Sequence, residues 1–412
     1  MLDVRRHRWR TLEQDDSFPP VRLGADYFQG PFLSSLIGVP APSSDAADDA
    51  LIVARDVPLA PLTTLELGGP ARFLVEAFDT DAVIAGLRWA AARGVPAFVL
   101  GGGSNLVVAD AGFEGLVIRM RTRGVTFAPA TGGEVLVEAQ AGEPWDGLVA
   151  ETVARDLAGL ECLSGIPGLA GATPIQNVGA YGQEVADAIR SVRVIDRATL
   201  AIADLPPPAC GFGYRDSLFR RQADRYVVAS VTFALRPGGA PCIRYPELAS
   251  VLAQLPSPSL ADVRAAVLRL RRAKSMVIDA ADPNRRSVGS FFTNPIVTSA
   301  QASALAERLL RDGTIAHAGE LPRFPAGGDG VKLSAGWLIE HAGIARGLRD
   351  GAVGVSTKHA LALVHHGGGT TAALLALAAR VRRAVADRFA VTLVPEPILL
   401  GSLGAISIDA AT

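Results

Sequence analysis

Three observations predict an α+β protein with two domains. The chain has 412 residues, which is enough for two or three domains. Short runs of strand-like composition alternate with amphipathic helical segments from residue 53 onwards. The adjacent glycines at 238 and 239 interrupt this pattern. We therefore expect a first domain over residues 53–238 and a second domain over residues 239–401.

The first domain follows an extension, residues 1–52, that combines charge, proline and small residues without sustained periodicity. We expect this extension to be mostly disordered. The apolar patterns of the first domain predict strands at 73–77, 97–100, 115–119, 134–141, 191–196 and 226–235, and helices at 80–92 and 145–155. Thr80 is the expected N-cap of the first helix, because its hydroxyl can accept a backbone hydrogen bond.

The second domain has more helical periodicity than the first. Apolar spacing predicts helices at 260–272, 300–311, 335–342 and 371–387, and strands at 361–364 and 391–394. No segment repeats along the chain, which argues against a solenoid or propeller.

Composition excludes several classes of protein. The formal net charge of −1 lacks the basic excess that nucleic-acid-binding proteins usually carry. No apolar run reaches the roughly 18–20 residues that a membrane-spanning helix needs. The N-terminal arginines are not followed by the apolar segment of a secretory signal. The three cysteines, Cys162, Cys210 and Cys242, are too far apart for a metal motif or a disulfide framework. We therefore expect a cytoplasmic protein without a metal ion.

The most unusual stretch of the sequence is Ser164–Gly182, which contains five glycines and two prolines in 19 residues. Such a segment makes a poor regular helix or strand, because proline fixes φ and glycine opens conformations that other residues avoid. Its exposed N–H groups can approach an anion or a heteroaromatic ring. A long glycine-rich surface loop is the alternative that composition alone leaves open.

Six strings in the chain resemble, in the same order, segments of the UDP-N-acetylenolpyruvylglucosamine reductase family, the UDP-N-acetylmuramate dehydrogenases. The resemblance extends from about residue 57 to about residue 401. Several long strings in one order are far more specific than a single glycine motif. The strings are Gly-Gly-Gly-Ser-Asn at 101–105, the glycine-rich stretch at 164–182, Gly-Tyr-Arg-Asp-Ser at 213–217, Gly-Ser-Phe-Phe-Thr-Asn-Pro at 289–295, Val-Lys-Leu-Ser-Ala-Gly-Trp-Leu-Ile-Glu at 331–340 and Pro-Glu-Pro at 395–397.

The resemblance implies an FAD-binding domain of the PCMH (vanillyl-alcohol-oxidase-like) type in two lobes, about 53–110 and 111–238, followed by a substrate-binding domain. The chain end near 390–401 would return to the FAD lobe. It also implies reduction of UDP-N-acetylglucosamine enolpyruvate by NADPH in peptidoglycan synthesis. The FAD would be noncovalent, because residues 101–105 lack the histidine to which related flavoproteins often attach it. The residues that the resemblance assigns to FAD are Gly101, Gly102, Gly103, Ser104, Asn105, Gly168, Gly171, Ala172, Thr173, Gln176, Asn177 and Tyr181.

The catalytic residues that the resemblance implies are Arg215, Ser290 and Glu396. A guanidinium can hold a carboxylate with two parallel hydrogen bonds, which suits Arg215 to the enolpyruvyl carboxylate. Glu396 would act with it on the enolate as a protonated acid, and Ser290 would give a proton to the α-carbon. On residue type alone, each of the three is more often a structural or solvated group. Arg215 is one of many arginines, since all but three of the 40 basic residues are arginine.

The sugar nucleotide is assigned by the same resemblance to Tyr245, Lys274, Asn294 and His359. Lys332 can face either a ligand or the helix that follows it. We expect a monomer or a weak oligomer. Two other functions are compatible with parts of the sequence: an FAD-dependent sugar oxidase of the same fold, and a sugar-nucleotide-binding regulator without flavin.

Overall fold

The computed structural model describes residues 51–402. The predicted extension therefore lies outside the described residues, apart from Leu51 and Ile52. Residues 51–402 lie within one compact unit. Among the described residues, no helix is long and apolar enough to cross a membrane.

The helices and strands before residue 240 follow the predicted pattern closely, with additional short strands. In chain order the strands are β1 Ala54–Pro58, β2 Pro70–Ala77, β3 Ala97–Leu100, β4 Leu106–Val108, β5 Phe113–Met120, β6 Val125–Pro129, β7 Val135–Gln140, β8 Leu157–Ala158, β9 Gly179–Ala180, β10 Gln183–Glu184, β11 Ile189–Asp196, β12 Ile202–Leu205 and β13 Tyr226–Pro237. The helices are α1 Thr80–Ala92, α2 Trp145–Ala154, α3 Pro207–Cys210 and α4 Leu218–Arg221.

The first sheet has the order β1-β2-β5-β3, with β2, β5 and β3 parallel. Helix α1 packs on it through a buried face that includes Val83 and Leu87. The expected cap at Thr80 is wrong by one residue. Asp79 is the N-cap, because its extended backbone turns its carboxylate to accept from the Ala82 N–H at 2.7 Å.

The second sheet has the antiparallel order β12-β11-β13-β7-β6, and β8 pairs with the end of β13. The central strand β13 contributes buried valine, alanine and phenylalanine side chains to two cores on its opposite faces. One of these cores contains Trp145 of α2. The glycine-rich stretch crosses the end of this sheet, where Ala141 donates to Ala229 and Gly171 donates to Ala141. The sheet therefore fixes the backbone of that stretch.

The remainder of the chain is richer in helix. Its helices are α5 Pro246–Leu252, α6 Leu260–Ala273, α7 Ser299–Arg311, α8 Ala335–His341 and α9 Thr371–Phe389. Its strands are β14 Ile296–Thr298, β15 Arg323–Pro325, β16 Gly330–Leu333, β17 Arg349–Asp350, β18 Val353–Val355, β19 Leu363–His365 and β20 Ile398–Leu400. A large apolar core joins α7, α8 and α9 to β16, β18 and β19.

The predicted strand at 391–394 is wrong, and β20 follows it instead. Val391 and Leu393 are buried while their neighbours are exposed, as the alternation predicts, but the segment pairs with residues 291–293 only through isolated hydrogen bonds. Pro395 and Pro397 lack the N–H groups that a regular ladder requires. Strand β20 then pairs in parallel with β4, directly after the 101–105 loop.

Candidate active site

Two glycine-rich segments lie against each other along one cleft. Residues 101–105 connect β3 to β4, and the Ser104 hydroxyl donates to the Pro167 carbonyl at 3.2 Å. An added Cβ at Gly102 would lie 2.9 Å from the Gly168 Cα. Gly103 has φ +63°, and its added Cβ would lie 2.1 Å from the Leu62 oxygen. Glycine is therefore required where the backbones meet, as it is where a phosphate or ring is approached by main chain.

We expect Gly102→Ala to release the flavin, because its methyl group would force the two glycine-rich segments apart. Gly147→Ala in α2 is a matched control, since its Cβ would find no closer atom than Pro144 Cβ at 3.8 Å. The measurement is the ratio of flavin to protein absorbance after purification, with the melting temperature recorded for both variants. A soluble Gly102→Ala protein with full flavin content would contradict the close packing.

Eight of the nineteen predicted site residues line the cleft. It is lined by Ser104, Asn105, Ala172, Thr173, Gln176, Arg215, Ser290 and Glu396. The predicted glycines Gly101, Gly102, Gly103, Gly168 and Gly171 are outside this lining, and an added Cβ at Gly168 would lie 3.0 Å from the Ser104 hydroxyl. The residues present fit an FAD molecule, because the glycines at 101–103 have no side chains to keep a phosphate from their main chain, and polar side chains line the cleft beside them.

Arg215 is fixed by three contacts at the inner end of the cleft. Its Nη2 donates to the Gly179 oxygen at 2.7 Å, and its Nη1 donates to the Asn177 oxygen at 3.5 Å. Its Nε lies 3.3 Å from Glu396 Oε1. The residue has φ +52°, an uncommon conformation for a non-glycine residue that costs about 1–3 kcal/mol. The glycine-rich stretch thus orients the guanidinium through its carbonyl groups.

Ser290 and Glu396 are brought together by backbone pairing between two extended segments. The Glu396 N–H donates to the Phe291 oxygen at 2.9 Å, and the Thr293 N–H donates to the Val394 oxygen at 3.0 Å. Phe291 and Phe292 are buried in the large core beneath this pairing. The two phenylalanines therefore anchor the segment that presents Ser290, and both polar side chains line the same cleft.

Gln176 connects the two glycine-rich segments to Glu396. Its Oε1 accepts from Asn105 Nδ2 and from Arg220 Nη1, both at 3.2 Å, and its Nε2 lies 3.3 Å from Glu396 Oε1. With both acceptor bonds made, the amide is oriented with its N–H groups toward the carboxyl group. Arg220, which sequence reasoning did not single out, also donates to the Arg215 oxygen at 2.9 Å.

Burial raises the pKa of Glu396, and the nearby cations Arg215 and Arg220 oppose the shift without cancelling it. Desolvation penalises the charged form of a carboxyl group, which explains the direction. Such a group keeps a proton at higher pH than an exposed glutamate does. The arrangement therefore combines a cation and a carboxyl group of raised pKa at one point of the cleft.

A second group of predicted residues lies around Tyr181. The rings of Tyr181 and Tyr245 meet edge to face at 5.6 Å, and Lys274 Nζ is 5.9 Å from the Tyr181 ring centre. Lys274 also pairs with Glu247 at 2.6 Å. Burial and the neighbouring charge of Lys274 lower the pKa of His359 to about 4. The structure thus groups Tyr181, which the resemblance assigned to the flavin, with three of the residues assigned to the sugar nucleotide.

Asn294 and Lys332 lie at Tyr214, next to Arg215. Asn294 Oδ1 accepts from the Ala335 N–H at 2.9 Å, and Asn294 also hydrogen-bonds Tyr214. Lys332 Nζ is 4.3 Å from the Tyr214 ring centre. Burial lowers the pKa of Lys332, and the charge of Arg215 lowers it further. Lys332 therefore lies over the Tyr214 ring, beside Arg215.

Asn177 has a structural role in the fold. Its Nδ2 donates to Glu184 Oε2 at 2.7 Å and to the Gly213 oxygen at 3.0 Å, while its Oδ1 accepts from the Ala186 N–H at 3.1 Å. These bonds join the glycine-rich stretch to the turn that carries Arg215. The side chain holds protein segments together, and its predicted contact with the flavin remains untested.

Arg271 lines the cleft, although no sequence pattern distinguishes it from the other arginines. Its Nη2 donates to the Met276 oxygen at 2.5 Å, while its buried Nε has no hydrogen-bond partner among residues 51–402. Burial lowers its pKa to about 10, and the charge of Arg215 contributes. The guanidinium stays charged near neutral pH and has donor capacity for an anion in the cleft.

Two family models match this chain. One, described as the UDP-N-acetylenolpyruvoylglucosamine reductase C-terminal domain, matches residues 282–400, and an FAD binding domain matches residues 71–199. A UDP-N-acetylenolpyruvoylglucosamine reductase from Nocardia farcinica (strain IFM 10152) is 51% identical over 356 residues, which cover 85% of this chain and 90% of that protein. The chain belongs to the UDP-N-acetylenolpyruvoylglucosamine reductase family.

Other members of the family match this chain over nearly their whole length. The reductase from Thermobifida fusca (strain YX) is 49% identical over 351 residues, covering 84% of this chain and 98% of that protein. The crystal structure of the reductase from Thermus caldophilus is 26% identical, with a TM-score of 0.56, and the match covers 85% of this chain and all of that one. These matches confirm the predicted fold class, and the chain is an FAD-dependent oxidoreductase.

Proposed function

We propose that this protein reduces UDP-N-acetylglucosamine enolpyruvate to UDP-N-acetylmuramate in the cytoplasm, as a step of peptidoglycan synthesis, with NADPH as reductant. The observation that carries the proposal is the Arg215–Glu396 contact at 3.3 Å, in a cleft that Ser290 also lines. The chemistry that bound FAD supplies is transfer of hydride from NADPH to the β-carbon of the enolpyruvyl group.

Arg215 would hold the carboxylate of the enolpyruvyl group. Negative charge develops on the α-carbon and this carboxylate as hydride arrives, so a fixed cation stabilises the transition state more than the ground state. Arg215 is already oriented by the carbonyl oxygens of Gly179 and Asn177. Little reorganisation is then required during the reaction. Protonated Glu396 would donate a hydrogen bond to the same developing charge.

Ser290 would donate the proton that the α-carbon receives. Within residues 51–402, its hydroxyl has no protein hydrogen-bond partner, so it is available to a ligand in the cleft. A neutral serine is a weak acid, and its proton must be replaced from a neighbouring group or from water. The cations around the cleft, including Arg215 and Arg271, favour the transient negative charge on its oxygen.

The sugar nucleotide would extend from Arg215 toward the group formed by Tyr181, Tyr245, Lys274 and His359. Lys274 supplies a compact positive charge for a diphosphate oxygen. Neutral His359 can donate or accept a hydrogen bond without adding charge. Asn294 and Lys332 offer further donors beside Tyr214. A cation that can reach a diphosphate is thus present on two sides of the cleft.

The proposal is tested by the visible spectrum of the purified protein under anaerobic conditions. We expect a yellow protein whose flavin absorbance is bleached by NADPH and restored by the enolpyruvyl nucleotide in stoichiometric amount. Restoration by oxygen but not by the nucleotide would indicate a sugar oxidase of the same fold. A colourless protein that binds the nucleotide would instead indicate a regulator without flavin.

Lys274→Ala should raise the KM for the sugar nucleotide by about 10- to 150-fold, the equivalent of about 1.5–3 kcal/mol for a charged hydrogen bond. Flavin reduction by NADPH should be less affected. Glu247→Gln is the control, because it removes the present partner of Lys274 and keeps its charge; its KM should not rise. Equal losses in the two half-reactions of Lys274→Ala would show that Lys274 does not act on the substrate alone.

A further inference from the structure

Two cysteines far apart in the sequence meet at the side of the FAD-binding part of the chain. Cys162 lies in the short 3₁₀ turn Glu161–Leu163, and Cys242 lies in the connection between β13 and α5. The Cys162 thiol donates to the Cys242 backbone oxygen at 2.9 Å. Both side chains belong to the small apolar cluster that includes Tyr181 and Leu248.

The backbones of the two cysteines are held next to each other by Glu161 and Gln183. The Cys242 N–H donates to Glu161 Oε1 at 2.7 Å, and the Cys162 N–H donates to Gln183 Oε1 at 2.9 Å. Gln183 Nε2 in turn lies 3.4 Å from Glu161 Oε1. None of these contacts uses a sulfur atom. The proximity of the two cysteine backbones is therefore built into the fold and does not depend on the thiols.

The two thiols differ in their access to solvent. Cys162 is fully buried, whereas Cys242 is partly exposed and its sulfur is 3.8 Å from the Gly182 oxygen. Burial, followed by the charge of Glu161, raises the pKa of Cys162, which keeps that thiol protonated as a donor. Small oxidants thus reach Cys242 first, with Cys162 directly behind it.

We propose that Cys162 and Cys242 are a reversible oxidation site at which a peroxide forms an intramolecular disulfide. In the first step, the Cys242 sulfur attacks one peroxide oxygen of hydrogen peroxide, which gives a sulfenic acid and water. In the second step, Cys162 attacks the sulfenic sulfur, which forms the S–S bond and releases a second water. The pair loses two electrons and two protons, and a dithiol reductant restores both thiols.

A bond at this position would restrain the segment that carries Tyr245. Cys242 precedes Tyr245 by three residues, and Tyr245 is the N-cap residue of α5. In the reduced protein, the segment is held to Glu161 and Cys162 by hydrogen bonds that can open locally. A covalent link would prevent this local opening. Hydrogen exchange in residues 240–245 should therefore slow when the disulfide forms, whether or not the protein reduces the enolpyruvyl nucleotide.

The experiment uses the full chain with its bound flavin, treated with hydrogen peroxide and then alkylated in denaturant. We expect the titratable thiols to fall from three to one, with a Cys162–Cys242 peptide in the mass spectrum and recovery of all three after dithiothreitol. Cys210 is the internal control, because it is buried elsewhere with its sulfur 3.8 Å from the Leu205 oxygen. Cys210→Ser should form the same linked peptide.

Cys162→Ser removes the thiol that resolves the sulfenic acid while leaving Cys242 accessible. We expect this variant to retain Cys242 as a sulfenic acid that dimedone traps, whereas the parent protein gives little adduct. Four outcomes would overturn the proposal. In the first, the parent protein keeps three free thiols after peroxide treatment although the Cys162→Ser variant reacts with dimedone. In the others, the disulfide joins two molecules, the linked peptide contains Cys210, or Cys242 reacts in neither protein.

Discussion

Ser290→Ala is expected to bleach with NADPH at a near-normal rate and then to react slowly with the enolpyruvyl nucleotide. Flavin reduction requires no proton on a substrate carbon, whereas turnover of the nucleotide does. The second half-reaction should slow by about 10²–10⁴-fold, the usual effect of losing a general acid. Folding should survive, because within residues 51–402 the Ser290 hydroxyl makes no protein hydrogen bond that the substitution would break.

Stopped-flow absorbance of the two half-reactions measures this difference directly. Ser287→Ala is the matched control, since Ser287 lines the same cleft three residues earlier and its hydroxyl accepts only a long bond, 3.4 Å, from the Gly289 N–H. Ser290→Cys should recover part of the rate, because a thiol can also donate a proton. If Ser290→Ala is reoxidised as fast as the parent protein, the proton comes from another group.

The amphipathic helices were predictable because their apolar spacing is a local property. Helix α6 is an example, since Ser259 and Asp262 cap each other reciprocally in the sequence pattern that precedes its buried face. The predicted strand at 391–394 failed for a nonlocal reason. Buried and exposed side chains do alternate over residues 391–394. Regular strand pairing nevertheless begins only at β20, because of Pro395 and the positions of the neighbouring segments.

Some residues of the candidate site could likewise be predicted from local sequence, whereas others could not. Glycine segments and short strings could be selected from the sequence, because their composition is unusual over several residues. Arg220 and Arg271 could not be selected, since only the folded chain distinguishes them from the other arginines. The packing partner of Tyr181 could not be predicted from the sequence either. Its sequence neighbours belong to the glycine-rich stretch, yet its ring packs against Tyr245, from a segment more than 60 residues away.

Glu396→Gln should be folded and should contain flavin, yet lose about 10²–10⁴-fold in the reaction with the enolpyruvyl nucleotide. Glutamine preserves the shape of the side chain and can hydrogen-bond Gln176, but it cannot exchange a proton. In the proposed mechanism the active form of Glu396 is protonated, so the rate should fall as pH rises through its elevated pKa. The glutamine variant should lack this dependence. A parent protein and a variant with the same pH profile would exclude Glu396 as the acid.

Stability provides a second test of Glu396 that does not require turnover. Because the folded-state pKa lies above the unfolded value, the folded protein binds more protons in this range, and its stability falls as pH rises. Glu396→Gln lacks this titration, so its melting temperature relative to the parent should increase as pH rises from the unfolded pKa through the folded one. Glu340→Gln is the control, since Glu340 pairs with Arg346 at the surface. A difference that decreases with pH would show that Arg215 and Arg220 outweigh burial and that Glu396 is ionised in the cleft.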